Sequence, residues 1–178
     1  ETATNKKRRL SINLATAYFV PKPFTPFQWE KQITPEEYLR RVHLLQSCLT
    51  ARGVDYRYHE SDLSRLEAVL ARGDRRLGKV LLRAHELGCK LDGWDEYFRY
   101  DLWMKAFEDM GVNPDFYTVR GFAEDEILPW QTMDVGVTKR FFLRERALAY
   151  QSQTTPDCRS KCSGCGAKSL SERGVCDE

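Results

Sequence analysis

At 178 residues, with 42% hydrophobic and 30% charged side chains, the chain can bury a core and make one domain, or belong to something larger. A net charge of +2 gives no reason to expect nucleic acid as a general partner, and no apolar run approaches the roughly 18 residues of a membrane span. Six cysteines are too few for a disulfide scaffold; clustered, with no secretory signal in view, they fit a reducing, cytoplasmic setting and metal binding.

The chain opens Glu1-Thr2-Ala3-Thr4 without a methionine, as at an expression boundary or a cut inside a longer protein. Lys6-Lys7-Arg8-Arg9 is a basic run of the kind that usually marks a solvated face. Residues 10–20 (LSINLATAYFV) alternate in part and end in an aromatic pair, which predicts a strand buried on at least one face. Pro21, Pro23 and Pro26 then remove three ladder donors, so the aromatic segment to Trp29 is an extended connection that must pack on something.

Thr34-Pro35-Glu36-Glu37 combines an N-cap, a first-turn proline and a capping-box glutamate. It predicts a helix to about residue 51, burying Tyr38, Val42, Leu45 and Leu49 and stopped by Gly53. Residues 54–59 (VDYRYH) alternate and read as a second strand. Strand, crossover helix and strand make a βαβ unit, so the pairing is parallel and the class α/β.

Helical patterns follow. Leu63, Leu66, Val69 and Leu70 form one stripe ended by Gly73. Asp74 can cap a second helix carrying Leu77, Val80, Leu81, Ala84 and Leu87, ended by Gly88. Asp92-Gly93 is a turn, residues 94–110 are helical and aromatic, and Asn113-Pro114 opens another turn or short helix. Leu128-Pro129-Trp130 interrupts any helix begun near Glu124. A last helix is predicted over residues 138–152, and the tail beyond Ala167 is expected to be mobile.

The densest set of metal ligands comes last. Cys158, Cys162 and Cys165 stand in C-x3-C-x2-C spacing among Arg159, Lys161 and Lys168, and Cys176 follows as a possible fourth ligand. Close thiolates in a Gly/Ser loop can converge on an iron–sulfur cluster or on zinc, and neighbouring cations favour the thiolate. Three close cysteines with a distant fourth fit an iron–sulfur cluster better than structural zinc, which closes four positions. Cys48 and Cys89 read as ordinary buried cysteines. Among the histidines, His43 and His85 fall in helices, and His59 at the end of the second strand faces the side where parallel sheets bind ligands. Segment 72–83, with Arg72, Arg75, Arg76 and Lys79, is either an anion or RNA face or an Arg–Asp turn network joining two helices; the turn network is favoured. Tyr100, Trp103 and Phe107 share a helical face, which favours packing over base stacking.

Taken together, several stretches resemble the C-terminal part of cobalamin-binding-domain-containing radical S-adenosylmethionine (radical SAM) proteins. The carriers are FVPKPFTPFQW at residues 19–29, LEAVLARGDRRL at 66–77, Asp92-Gly93-Trp94, Ile127-Leu128-Pro129-Trp130, and Asp157-Cys158-Arg159 with Cys162 and Cys165. The resemblance implies that residues 1–60 are the last strands of a partial (β/α) barrel, 61–152 a helical extension and 153–178 a cysteine-rich metal-binding tail. It further implies that an upstream part, a cobalamin-binding-like domain and the radical SAM core, holds the cluster that reductively cleaves S-adenosylmethionine. This piece alone would then be inactive. The tail has the spacing of that catalytic motif but follows a helix instead of the first barrel strand, so the expected centre is an auxiliary one, a 4Fe–4S cluster or zinc, with cobalamin a possible further cofactor. Where such proteins tend to carry another cysteine, this chain has Ala167-Lys168, which leaves Cys176 to complete a four-cysteine site. Two other classes stay open: a non-enzymatic zinc-binding interaction module, and an RNA-binding accessory domain using the segment 72–83.

Overall fold

The computed structural model describes residues 11–167; Lys6 to Arg9, Leu10, Lys168 and Cys176 lie outside the described residues, as does the tail beyond Ala167. Two strands, β1 (Ile12–Thr16) and β2 (Val54–Tyr58), flank helix α1 (Pro35–Cys48). They pair in parallel with Ile12 opposite Val54 and Thr16 opposite Tyr58, as a βαβ connection requires. β1 ends four residues before the predicted limit, because β2 offers only five partners. Beyond the last ladder bond, His59 N to Thr16 O, the chain leaves the sheet and Tyr18 stacks flat on Tyr38 of α1 at 4.3 Å.

Thr34 caps α1 by accepting the Glu37 N–H on Oγ1 at 3.3 Å. The capping box is not closed by Glu37, whose carboxylate turns instead to Arg40 and Arg41. Tyr38 and Val42 are buried as expected, whereas Leu45 is exposed, and Cys48, expected to be buried, is exposed at the helix end. The helix runs past the short sheet, so nothing among the described residues covers its last turns. The expectation that β1 buries one face is likewise only half met, since Ile12 is exposed.

The helical extension packs around a second core. Helices α2 (Ser61–Arg72), α3 (Leu77–Glu86) and α4 (Tyr100–Asp109) bury Leu66, Val69, Leu77, Val80, Trp103 and Phe107 against one another, with Cys89 beside them. Leu63, Leu70 and Leu81, placed on the buried stripes by periodicity, are exposed. Trp94 and its neighbours form turns, so α4 starts at Tyr100 and not at residue 94. Asn113 caps a short 3₁₀ helix, Pro114–Phe116, by accepting the Asp115 N–H.

A third cluster answers the question of what the proline-rich segment packs on. Trp29 joins Phe122, Leu128, Trp130 and Phe142 of α5 (Lys139–Tyr150). Trp130 Nε1 donates to Gln28 Oε1 at 2.7 Å, which closes the segment against the loop ahead of α5.

Two aligned features of the helical turn fix its geometry. A Cβ on Gly73 would stand 1.9 Å from Leu77 Cδ1 and 2.9 Å from the Val69 carbonyl oxygen, so the turn from α2 into α3 is shaped around a glycine. Arg72, the residue before it, is fully buried.

Candidate metal-binding loop

Thr138 caps α5, with Oγ1 accepting the Phe141 N–H at 3.2 Å, and this cap seats the cysteine loop. The Thr138 backbone N–H donates to the Cys165 carbonyl at 3.0 Å. Arg144, one face of α5 further on, donates through Nη2 to the Ser163 carbonyl at 2.5 Å. Gly166 lies against the turn ahead of α5, where a Cβ would fall 2.8 Å from the Gly136 oxygen. Thr155 Oγ1 donates to the Glu145 carboxylate, which holds the approach to the loop on the same helix.

The sulfurs themselves take backbone donors. Gly164 N–H donates to Cys162 Sγ at 3.5 Å, and Ala167 N–H donates to Cys165 Sγ at 3.3 Å. Each donor comes two residues after its cysteine, in a turn that Gly164 and Gly166 enter at positive φ. Backbone N–H groups aimed at sulfur stabilise a thiolate and tune a metal bound to it. Asp157 begins a separate turn, accepting the Arg159 N–H on Oδ1 and the Ser160 and Lys161 N–H groups on its carbonyl. Cys158, in that turn, is exposed, and Cys165 is half-buried. Among the described residues no three His, Cys, Asp or Glu side chains gather closely enough to hold a metal ion. Cys162 and Cys165 each take a backbone donor on sulfur, while Cys158 stands in its own turn and Cys176 lies outside the described residues.

The other residues singled out by sequence take structural places. Arg72 Nη1 donates to the Glu30 carbonyl at 2.6 Å, Nη2 lies 3.5 Å from the Arg120 carbonyl, and its guanidinium stacks over Phe122 at 4.4 Å. Burial, and next the nearby Arg120 charge, pull its pKa down to about 10, so the group stays cationic at neutral pH. Asp74 accepts the Arg76 backbone and side-chain N–H groups as well as the Tyr117 hydroxyl, and the Arg76 contact leads in holding its carboxyl below the usual range. Arg83 pairs with Asp109 and Glu86. In the segment 72–83 this leaves Arg72, Arg75 and Lys79 without an ion pair among the described residues, and Arg72 is spent on backbone carbonyls. The geometry is that of an Arg–Asp turn network.

His59 serves through its backbone, its carbonyl accepting the Tyr38 hydroxyl at 3.0 Å. Trp103 and Phe107 are buried in the helical core, which makes them packing residues. Sequence reasoning missed Gly136, Arg144 and Glu145 as the seat of the cysteine loop; Thr138 was visible only as a helix start. No helix among the described residues is long and apolar enough to cross a membrane. No protein-family model, curated protein or solved structure matches the chain.

Proposed function

We propose that this chain is the C-terminal part of a cytoplasmic radical SAM enzyme and that its cysteine loop carries an auxiliary iron–sulfur cluster of the 4Fe–4S type. The observation that carries the metal assignment is the pair of backbone N–H groups on Cys162 and Cys165 sulfur, within a loop fastened to α5. Cys158 joins these two by a shift of its own turn, with Cys176 as the fourth ligand. A cluster held here supplies electron-transfer or ligand-binding chemistry. The chain's own residues seat the loop through Thr138 and Arg144, and Arg159 and Lys161 offset the thiolate charge.

The barrel part of the proposal is supported by the sheet. Parallel sheets are ordinarily covered on both faces and extended by further strands. Here two parallel strands leave Ile12 and Tyr58 exposed, with Leu44 and Leu45 of α1 exposed beside them. An upstream radical SAM core, preceded by a cobalamin-binding-like domain, continues this sheet and holds the cluster that cleaves S-adenosylmethionine; the chain alone is inactive. Cobalamin and RNA belong, if used, to that larger protein.

Metal and acid-labile sulfide analysis of the chain purified without air tests the assignment. Iron with sulfide in comparable amounts supports it. Stoichiometric zinc without iron or sulfide assigns the loop to a structural zinc module instead. A reading frame upstream of Glu1 that lacks an earlier C-x3-C-x2-C would remove the radical SAM part of the proposal.

A further inference from the structure

A cavity of about 280 Å³ opens between the proline-rich segment and the loop leading into α5. That is near the small end of ligand pockets, on the order of 300 Å³. Phe24, Trp29, Trp130 and Phe142 line it, which gives it a largely aromatic wall. Phe24 is held at φ 57°, a conformation that bulky side chains rarely adopt, and its backbone N–H donates to Gln28 Oε1 at 3.3 Å.

Gln28 is 5% exposed and also lines the cavity. Its Oε1 is committed to Trp130 Nε1 and Phe24 N, while its Nε2 donates to no described residue. With no protein acceptor, that N–H is free to donate to a molecule that enters the cavity. Two opposite charges complete the lining. Lys139 is the first residue of α5, where the helix dipole favours an anion, and Asp134 has one carboxylate oxygen accepting the Gly136 N–H at 2.8 Å. Neither is in an ion pair among the described residues.

We propose that this cavity binds an aromatic amino acid of the tyrosine type as a free zwitterion. The ring lies against the aromatic lining, the phenol oxygen accepts from Gln28 Nε2, the carboxylate meets Lys139 and the ammonium meets Asp134. A simple anion would face Asp134, and a simple cation would face Lys139 and the start of α5, whereas a zwitterion answers both. The site does not depend on a metal in the cysteine loop.

Calorimetric titration of the 178-residue chain with L-tyrosine, L-tyrosine methyl ester and N-acetyl-L-tyrosine tests the charge assignment. L-tyrosine binds tightest, by about threefold over either derivative, the scale of an exposed ion pair. Lys139→Gln weakens L-tyrosine and the N-acetyl form about threefold and spares the ester. Asp134→Asn, which keeps the oxygen that accepts from Gly136, weakens L-tyrosine and the ester and spares the N-acetyl form. Val135→Trp, which fills the cavity from its lining, removes binding of all three while circular dichroism stays that of the parent chain. Absence of saturable heat with all three probes, or affinities that neither charge variant moves, overturns the proposal.

Discussion

The carbonyl of Cys165 accepts the backbone N–H of Thr138 at 3.0 Å, so the last cysteine of the C-x3-C-x2-C run is tied to the residue that caps α5. One threonine thus does two jobs: its side chain starts the helix and its backbone docks the loop. The segment just before it serves both neighbours, since Asp134, Val135 and Val137 line the aromatic cavity while Gly136 touches Gly166.

Gly166→Ala tests that seating. The residue sits at φ 98°, and an added Cβ would fall 2.8 Å from the Gly136 oxygen. Left-handed backbone costs a side chain about 1 kcal/mol, and the backbone contact adds to it. The expected outcome is a loop that separates from α5 and retains less metal, read as lower iron or zinc per chain after gel filtration. Retention equal to the parent would show that the loop does not need this seat.

Arg72→Ala should destabilise the chain by about 2–3 kcal/mol, because the Glu30 and Arg120 carbonyls lose their buried donor and Phe122 loses its stacked guanidinium. Arg72→Lys should rescue little, since an ammonium cannot present a planar fork to two carbonyls. Urea denaturation midpoints decide it; a lysine variant as stable as the parent would contradict the clamp.

Gly73→Ala should cost about 1–3 kcal/mol. Part of the overlap is with Leu77, which can move, and part is with the Val69 carbonyl, which cannot. A Gly73→Ala/Leu77→Ala double variant therefore recovers none of the backbone clash. Thermal melts that show the single variant unchanged would argue that the turn from α2 into α3 is not as tight as described.

Acid titration bears on α1. Hydrogen bonds from Arg40 and then Arg41 hold the Glu37 carboxyl at about 2, against an ordinary 4.5. A depressed carboxylate contributes stability above its unfolded pKa and loses it as pH falls through the folded value. The contribution of Glu37 is thus complete above about pH 4.5 and declines toward pH 2. Glu37→Gln should flatten the stability profile across that window, more clearly at low ionic strength. Parallel profiles for the two proteins would exclude the effect.

Local signals in the sequence carried the βαβ unit: the Thr34 cap and Pro35 act within a few residues, although α1 ends at Cys48 with Leu49 as its cap and does not reach the expected stop at Gly53. Periodicity identified the apolar faces of the helices but not what covers them, which is why Leu45, Leu63, Leu70 and Leu81 were expected in cores and stand exposed. Cys48 was misplaced for the same reason. The Gln28–Trp130 hydrogen bond spans 102 residues and leaves no local trace. The arginines of 72–76 were legible as alternatives only, because burial decides between an anion site and a clamp. The cysteine spacing was plain, while the seat of the loop on Thr138 and Arg144 came from tertiary packing.

Anaerobic reconstitution with iron and sulfide, followed by visible absorption, tests the metal assignment most directly. The chain should take up iron and develop the broad thiolate-to-iron absorbance of a brown protein, and a Cys158→Ala/Cys162→Ala/Cys165→Ala variant should not. The same spectrum in both proteins, or no iron retained by the parent, would contradict the assignment.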